Sequence, residues 1–289
     1  MRLTTKIIIG IILSIFLLSI LHIIGYSFSE RRYYKSTYRI VKIPQENKTE
    51  INIEPYRVFV FEAEQSEMEG RYYCSLANSD NGLFIHQVTT PEDNNKLFFS
   101  EAMNGFISTK TNDDTLFLKI NWEKVREQYG LIDDVNKKFK TTTRYNVPVS
   151  GVILDLRSSN VNIINKLDRL QTRISNLETD SIKIYAIGNI TIDSCKASVI
   201  EPVTKQQLII SNCTAQVLNY DLDQLYKWKT ESCTIEVTNF TGSKDANVWY
   251  DNKERGTINW HPKKEDGEIS LTIKGETSLQ IKQPPSQTP

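Results

Sequence analysis

Five stretches decide how this chain folds: LDLRSSNVNI (154–163), RISNLETDSI (173–182), TIDSCKASVI (191–200), IISNCTAQVL (209–218) and KTESCTIEVT (229–238). Aligned, they place Ser159, Leu177, Cys195, Cys213 and Cys233 in one column, at spacings of 18, 18, 18 and 20 residues. Just before the column stand Ser158, Asn176, Ser194, Asn212 and Ser232, all small and polar. Three residues before it stand Leu156, Ile174, Ile192, Ile210 and Thr230; four after it stand Ile163, Ser181, Val199, Val217 and Val237. The second row reads as slipped by one, which brings Ile182 and Ile184 inward. Apolar alternation on both sides of a Ser/Asn pivot describes two strands meeting at a corner, where short polar side chains satisfy turn backbone. Repetition at a fixed period stacks such units on a shared core.

The expectation is an all-β fold: a right-handed or irregular parallel β-solenoid with 18–20-residue coils. The column residues Ser159, Leu177, Cys195, Cys213 and Cys233 would form its core ladder. A left-handed hexapeptide helix would place an aliphatic residue at every sixth position. Stepping from Ser159 instead gives Asn165, Gln171, Leu177, Lys183, Asn189 and Cys195, so the hexad fails. A two-sheet sandwich is the alternative. Leu167–Leu170 and Leu222–Leu225 hint at a third side of the coil. Upstream, 51–64, 82–90 and 115–122 alternate as strands, as hairpins or as early irregular coils. Residues 122–145 read as a short helix or a projecting loop, and Lys263, Lys264, Glu265 and Asp266 as part of a terminal cap.

The 289 residues carry 35 bases and 35 acids, a balance that hides an asymmetry. Residues 1–40 hold six bases against Glu30 alone, leaving a body with 29 bases and 34 acids. An acidic body disfavours nucleic acid and other polyanions as partners. From Ile7 to Gly25 the sequence IIIGIILSIFLLSILHIIG has no charged residue, and 19 helical residues reach about 28 Å, close to a bilayer core. The apolar run exceeds a signal-peptide core and lacks a small-x-small cleavage site, so an uncleaved transmembrane signal-anchor is expected. Tyr26, Phe28, Tyr33 and Tyr34 suit an interfacial belt, with Arg31, Arg32 and Lys35 at headgroups. The resulting organisation is a short flank (1–6), the anchor (7–25), a juxtamembrane linker (26–50), an irregular β-rich part (51–150), regular coils with a cap (151–282) and a disordered tail (283–289). Charge counting alone slightly favours a cytoplasmic body. Export of a strand-rich acidic domain behind a signal-anchor favours the inner membrane with a periplasmic or extracytoplasmic body.

The pattern SGVILDLRSSNVNIIN, RISNLETDSIKI, ITIDSCKASVIE and LIISNCTAQVLN resembles that of the bacterial auto-transporter adhesin head (GIN domain) family and related membrane-anchored solenoid domains. The resemblance covers roughly residues 52–275. It implies an envelope setting and supplies no catalytic residues.

Chemistry-bearing motifs are sparse. There is no GxSxG, phosphate-cradling glycine loop or HExxH, and no CxxC or His pair for a metal. Neither a cofactor nor a metal is therefore expected. Stacked cysteines about 4.8 Å apart read either as reduced core residues or as one disulfide within the ladder. Asp155, Asp193, Asp223 and Glu231 are available on the repeat, but at different depths and with no acid–base pair spacing. Trp228, Trp249, Tyr250 and Trp260 cluster late and read as covering the end of the coil stack or as contacts for a protein or glycan partner. The sequons at Asn47, Asn189, Asn212 and Asn239 arise mostly from the repeat itself. The expected function is a non-enzymatic, membrane-anchored binding or adhesive protein. A carbohydrate-cleaving solenoid enzyme and a polymerising module are the alternatives.

Overall fold

The computed structural model describes residues 16–23, 40–64, 72–77, 80–129, 145–225, 227–243, 246–251, 256–264, 269–274 and 280–282. Two compact units are distinguished, 1–40 and 41–289. In the first, residues 16–23 are helical with exposed side chains, including Phe16, Leu17, Leu18, Leu21 and Ile23. The rest of the apolar run, the linker before residue 40 and the tail lie outside the described residues. No helix among the described residues is long and apolar enough to cross a membrane.

The second unit is all-β, with large parallel sheets. Its first half supplies β1 (Val41–Lys42), β2 (Lys48–Asn52), β3 (Val58–Glu64), β4 (Tyr72–Leu76), β5 (Gly82–His86), β6 (Lys96–Ser100), β7 (Ile107–Asn112), β8 (Thr115–Asn121) and β9 (Tyr145–Ser150). The repeat then supplies β10 (Ile153–Arg157), β11 (Val161–Asn165), β12 (Gln171–Ser175), β13 (Glu178–Ala186), β14 (Ile190–Asp193), β15 (Lys196–Thr204), β16 (Gln207–Ser211), β17 (Thr214–Asp221), β18 (Lys227–Glu231) and β19 (Thr234–Gly242). Four strands end the chain: β20 (Ala246–Asp251), β21 (Thr257–Pro262), β22 (Ile269–Lys274) and β23 (Gln280–Lys282).

Sheet I runs β18-β16-β14-β12-β5-β10-β6-β2 and sheet II runs β23-β21-β19-β17-β15-β13-β11-β3-β8-β7. From β12 to β19 the chain alternates between the two sheets, and each pass adds one parallel strand to each. Among the described strands, antiparallel pairs are confined to the far edge: β10 with β6, β6 with β2, and β7 with β8, the last turning over Asp113 at φ 50°. A smaller parallel sheet, β1-β9-β4, is tied to β10 through buried Asn81, whose Oδ1 accepts from Val152 N while its Nδ2 donates to Ala77 O and Val149 O.

The corners explain the polar column. Asn176, Ser194, Asn212 and Ser232 adopt φ 53–54°, the left-handed region that Asn and Ser tolerate better than branched residues. The left-handed residue turns the chain while the next residue still points inward, so Leu177, Cys195, Cys213 and Cys233 are all buried. The first row breaks the rule. Ser158 is absent from the left-handed set, so the phase differs: Ser158 is buried and Ser159 is exposed. Ser159 is thus not part of the core ladder. In sheet I it is also separated from Leu177, because β5 lies between β10 and β12, pairing with both. In sheet II, β11 meets β13 directly, with Val161 opposite Ile182, an offset of three residues from the sequence alignment.

The long strands hold a second departure. Their ladders skip Asp180, Ser198, Gln216 and Glu236, and inward positions there are three apart: Ala197 then Ile200, Ala215 then Leu218, Ile235 then Thr238. The extra bend of each pass therefore sits inside the sheet II strand, whereas 166–170 and 222–225 are tight connections. Ile182 and Ile184 do point inward, but not through a slip of their own row. Ile200, Leu218 and Thr238 do the same, leaving Val199, Val217 and Val237 only half-buried.

The short helix Trp122–Gln128 is capped by Asn121, whose Oδ1 accepts from Lys124 N at 3.0 Å, and it buries Trp122 and Val125 against the core. Burying one such aliphatic or aromatic side chain contributes about 1.5–3 kcal/mol, which outweighs the weak propensity of a seven-residue helix.

Candidate functional site

Where each sheet II strand bends, its two outward rows splay around a floor of largely inward-facing residues. One rim is Glu178, Lys196, Thr214 and Thr234, successive partners in the parallel register. The other rim is Asp180, Ser198, Gln216 and Glu236. Between them lie Thr179, Ala197 and Ala215, with buried Ile235 at the same position of the next strand, so the floor is the backbone of largely inward-facing residues. The result is an open trough of about 690 Å³ running across the strands, with Ser159 also lining it. Each strand contributes the same three positions, so the surface repeats at the strand spacing of about 4.8 Å.

The trough is polar and mostly short-chained. Lys196 Nζ lies 2.7 Å from Glu178 Oε1, and that hydrogen bond raises the lysine's pKa while both groups stay solvent-exposed. An exposed pair of this kind contributes little stability. Its consequence is local neutrality at one end of a trough that carries Asp180 and Glu236 elsewhere. The rims were visible in the alignment as columns two and four residues after the pivot. What makes a trough of them is the bend between, which the alignment does not show.

The acidic residues named from the sequence do not converge. Asp193 is a corner hub: Ser211 Oγ donates to Oδ1 at 2.5 Å, Asn212 Nδ2 to Oδ1 at 3.0 Å and Ser194 Oγ to Oδ2 at 3.0 Å. These bonds, that from Ser211 first, hold its carboxyl below the ordinary range. Asp223 accepts from Ser243 N at 2.9 Å and meets Lys263 Nζ at 3.2 Å, and it is likewise lowered, by the Ser243 backbone first. Glu231 pairs with Lys229 at 2.8 Å, and Asp155 sits beside His86 at 3.3 Å. Each meets its nearest donors or counter-charge within its own neighbourhood, although Asp155 Oδ1 makes no hydrogen bond.

Cys74, Cys195, Cys213 and Cys233 are free thiols. The three ladder thiols donate to the carbonyl two residues back, at 3.3, 3.1 and 3.4 Å, beside the backbone N–H that each of these carbonyls already accepts from the preceding corner. Contact with the Cys195 side chain, then with Cys233, and burial push the Cys213 thiol up; hydrogen bonding with Cys213 pulls Cys195 down. No group of three or more metal-ligating side chains is found among the described residues.

The late aromatics separate. Trp260 is 8 % exposed and belongs to the core. Trp228 is half-buried, packed at 4.8 Å on Tyr220 and 5.7 Å on Phe240. Tyr220 is itself buried, with its hydroxyl 2.9 Å from Thr230 Oγ1. Trp249 and Tyr250 lie on β20 opposite Thr272 and Ile273, and their side chains lie outside the described ones. Lys263 of the expected cap bridges Asp221 at 2.7 Å and Asp223 at 3.2 Å, tying three successive connections together.

No family model matches this sequence, and no curated protein matches it. Solved structures do align over most of the chain. A candidate adhesin from Bacteroides fragilis is 14% identical, with a TM-score of 0.37, covering 83% of this chain and 99% of its own. A candidate lipid-binding protein from Parabacteroides distasonis is 11% identical, with a TM-score of 0.38 over 83% and 99%. A candidate cell-adhesion protein from Clostridium sporogenes is 10% identical, with a TM-score of 0.19 over 82% and 99%.

Proposed function

We propose that this chain is a membrane-anchored envelope protein whose body is a parallel β-solenoid with a non-catalytic binding or adhesive role. The observation that carries the reading is the trough. It is open, repeats strand by strand, and is lined by hydroxyl, amide and charged groups, of which Lys196 and Glu178 already neutralise each other in solvent. Such a surface suits an extended partner, protein or glycan, that meets the same chemistry at each step. The apolar run at 7–25 would hold the body at the inner membrane, exposed to the extracytoplasmic side.

The test uses the full chain in bilayer discs, immobilised and exposed to a panel of envelope polysaccharides and polypeptides. Retention of an extended polymer, weakened by Ser198→Arg and Gln216→Arg in the trough, supports the reading. Release of cleaved product, lost in Asp193→Asn, overturns it. Protease treatment of intact spheroplasts decides orientation separately, and a protected body sinks the exported assignment.

A further inference from the structure

The outward face of sheet I, whose strands β10 and β12 lead into strands of sheet II, carries a second surface. Alternation puts Leu83, Ile85, Leu97, Phe99, Leu154 and Leu156 inside, so Phe84, Phe98 and Asp155 point out. The register sets them in one row: Phe98 opposite Asp155, Asp155 opposite Phe84, and Phe84 opposite Arg173. Two phenyl rings therefore flank one carboxylate, two strand spacings or about 10 Å apart.

Three details distinguish this row from an ordinary solvated face. First, Gly82 makes room for one ring: a Cβ there would come within 2.7 Å of the Phe84 side chain. Phe84 thus lies down along its strand. Second, each ring has a guanidinium on it, Arg157 over Phe98 at 4.8 Å and Arg173 over Phe84 at 5.9 Å, and His86 stacks beside Phe84 with planes 12° apart. Third, Asp155 Oδ1 is buried without a hydrogen bond, held only by the 3.3 Å contact with His86 Nε2. A carboxylate held between two phenyl rings with one oxygen unsatisfied is costly to maintain for folding alone, and the part of its side chain that stays exposed is what a ligand can reach.

We propose that the Phe98–Asp155–Phe84–Arg173 row is a carbohydrate-binding surface on which pyranose rings of a neutral glycan stack. As Arg157 and Arg173 swing from the rings to the sugar's hydroxyl oxygens, the apolar face of a pyranose fits the phenyl face they uncover, and its hydroxyls donate to the exposed part of the Asp155 carboxylate. The spacing of the two rings suits contact with two sugars of one chain, with Asp155 and His86 between them. A polyanion fits poorly beside Asp155, Glu50 and Asp93, of which Glu50 already occupies Lys96 at 2.9 Å and Asp93 approaches Arg157 at 3.6 Å. This surface is separate from the trough and does not require the trough to bind anything.

The experiment takes the full chain in a detergent without a sugar headgroup onto an array of neutral and acidic glycans. The expected result is binding of a neutral glycan class, weakened about tenfold by Phe84→Ala and by Phe98→Ala and also by Asp155→Asn, and unchanged by Gln216→Arg in the trough. Circular dichroism melts confirm that the variants fold, and Asp155→Asn retains the shape of the site should either phenylalanine variant fail. Absence of any neutral glycan, or binding indifferent to the phenylalanine and Asp155 changes, overturns the proposal. So does selective capture of acidic glycans. Loss of binding in Gln216→Arg alone would assign the glycan to the trough and also overturn it.

Discussion

Asn239 Nδ2 donates to Asn219 Oδ1 at 2.8 Å, and one strand further Asn259 Nδ2 donates to Asn239 Oδ1 at the same distance. The middle amide makes both bonds and the first makes one, on the half-buried outer face of sheet II. With a net contribution of about 1 kcal/mol per hydrogen bond, Asn239→Ala is expected to cost roughly 1–2 kcal/mol and Asn219→Ala less than 1. Urea unfolding of the two variants and their double reads this. Additive losses would show that the ladder is not a coupled unit.

The bend within the long strands makes a sharper claim about the core. Ile200 is fully buried, whereas Val199 is half-buried. Ile200→Ala should cost about 2–5 kcal/mol through lost contacts and a residual cavity, and Val199→Ala below 1. Comparable losses at the two positions would place the inward phase where simple alternation puts it.

That contrast also shows what the sequence made legible. The pivot column could be read because four of its rows carry a short polar residue, Asn or Ser, at a left-handed corner, and the buried cysteines because they follow each corner at a fixed step. The bend escaped because period-two alternation counted onward from Cys195 through Ala197 selects Val199. Only the neighbouring strands, through the skipped pair at Ser198 and Gln216, show the change of phase. The placement of β5 between β10 and β12 escaped for a different reason. GLFIH alternates like any strand, and which strands it joins depends on packing far along the chain. The late aromatics were grouped by closeness in sequence, yet strand alternation sends Trp260 into the core.

The thiols are expected to differ in reactivity. Burial pushes Cys74 up to about 11, and its neighbours and burial push Cys213 higher still, so neither offers thiolate at pH 8. Cys195 is lowered by its hydrogen bond with Cys213. All four are buried, so iodoacetamide reaches them only through local opening; timed labelling of the folded chain with peptide mapping should leave Cys74 and Cys213 unmodified longest, and denaturation should expose all four. Early labelling of Cys213 would contradict this order.

Acid sensitivity follows from Asp193. Its folded pKa lies below the unfolded value of about 3.9, so its contribution is present above that value and disappears as pH falls through the depressed folded pKa. Wild-type stability should therefore drop below about pH 4, and Asp193→Asn should show a shallower drop over the same interval. Glu62 and Asp223 titrate with the same sign, so the wild-type minus variant difference is the quantity to measure by denaturant titration at each pH. A difference that does not change with pH would remove Asp193 from the acid limb.

The corner itself can be improved by one substitution. Ser232 sits at φ 54°, a backbone region that disfavours a residue with a Cβ by about 1–2 kcal/mol and leaves glycine unpenalised. Glycine also adds freedom to the unfolded chain, which offsets part of the gain. Ser232→Gly should stabilise by about 0.5–1 kcal/mol, whereas Asn212→Gly should gain less or lose, because Asn212 Nδ2 also donates to Asp193 at 3.0 Å. Ser232→Val should lose at least 1 kcal/mol, since a branched side chain is poorly tolerated in the left-handed region. Thermal melts of the three variants read the order directly, and a valine tolerated as well as glycine would mean that this corner does not depend on the left-handed residue.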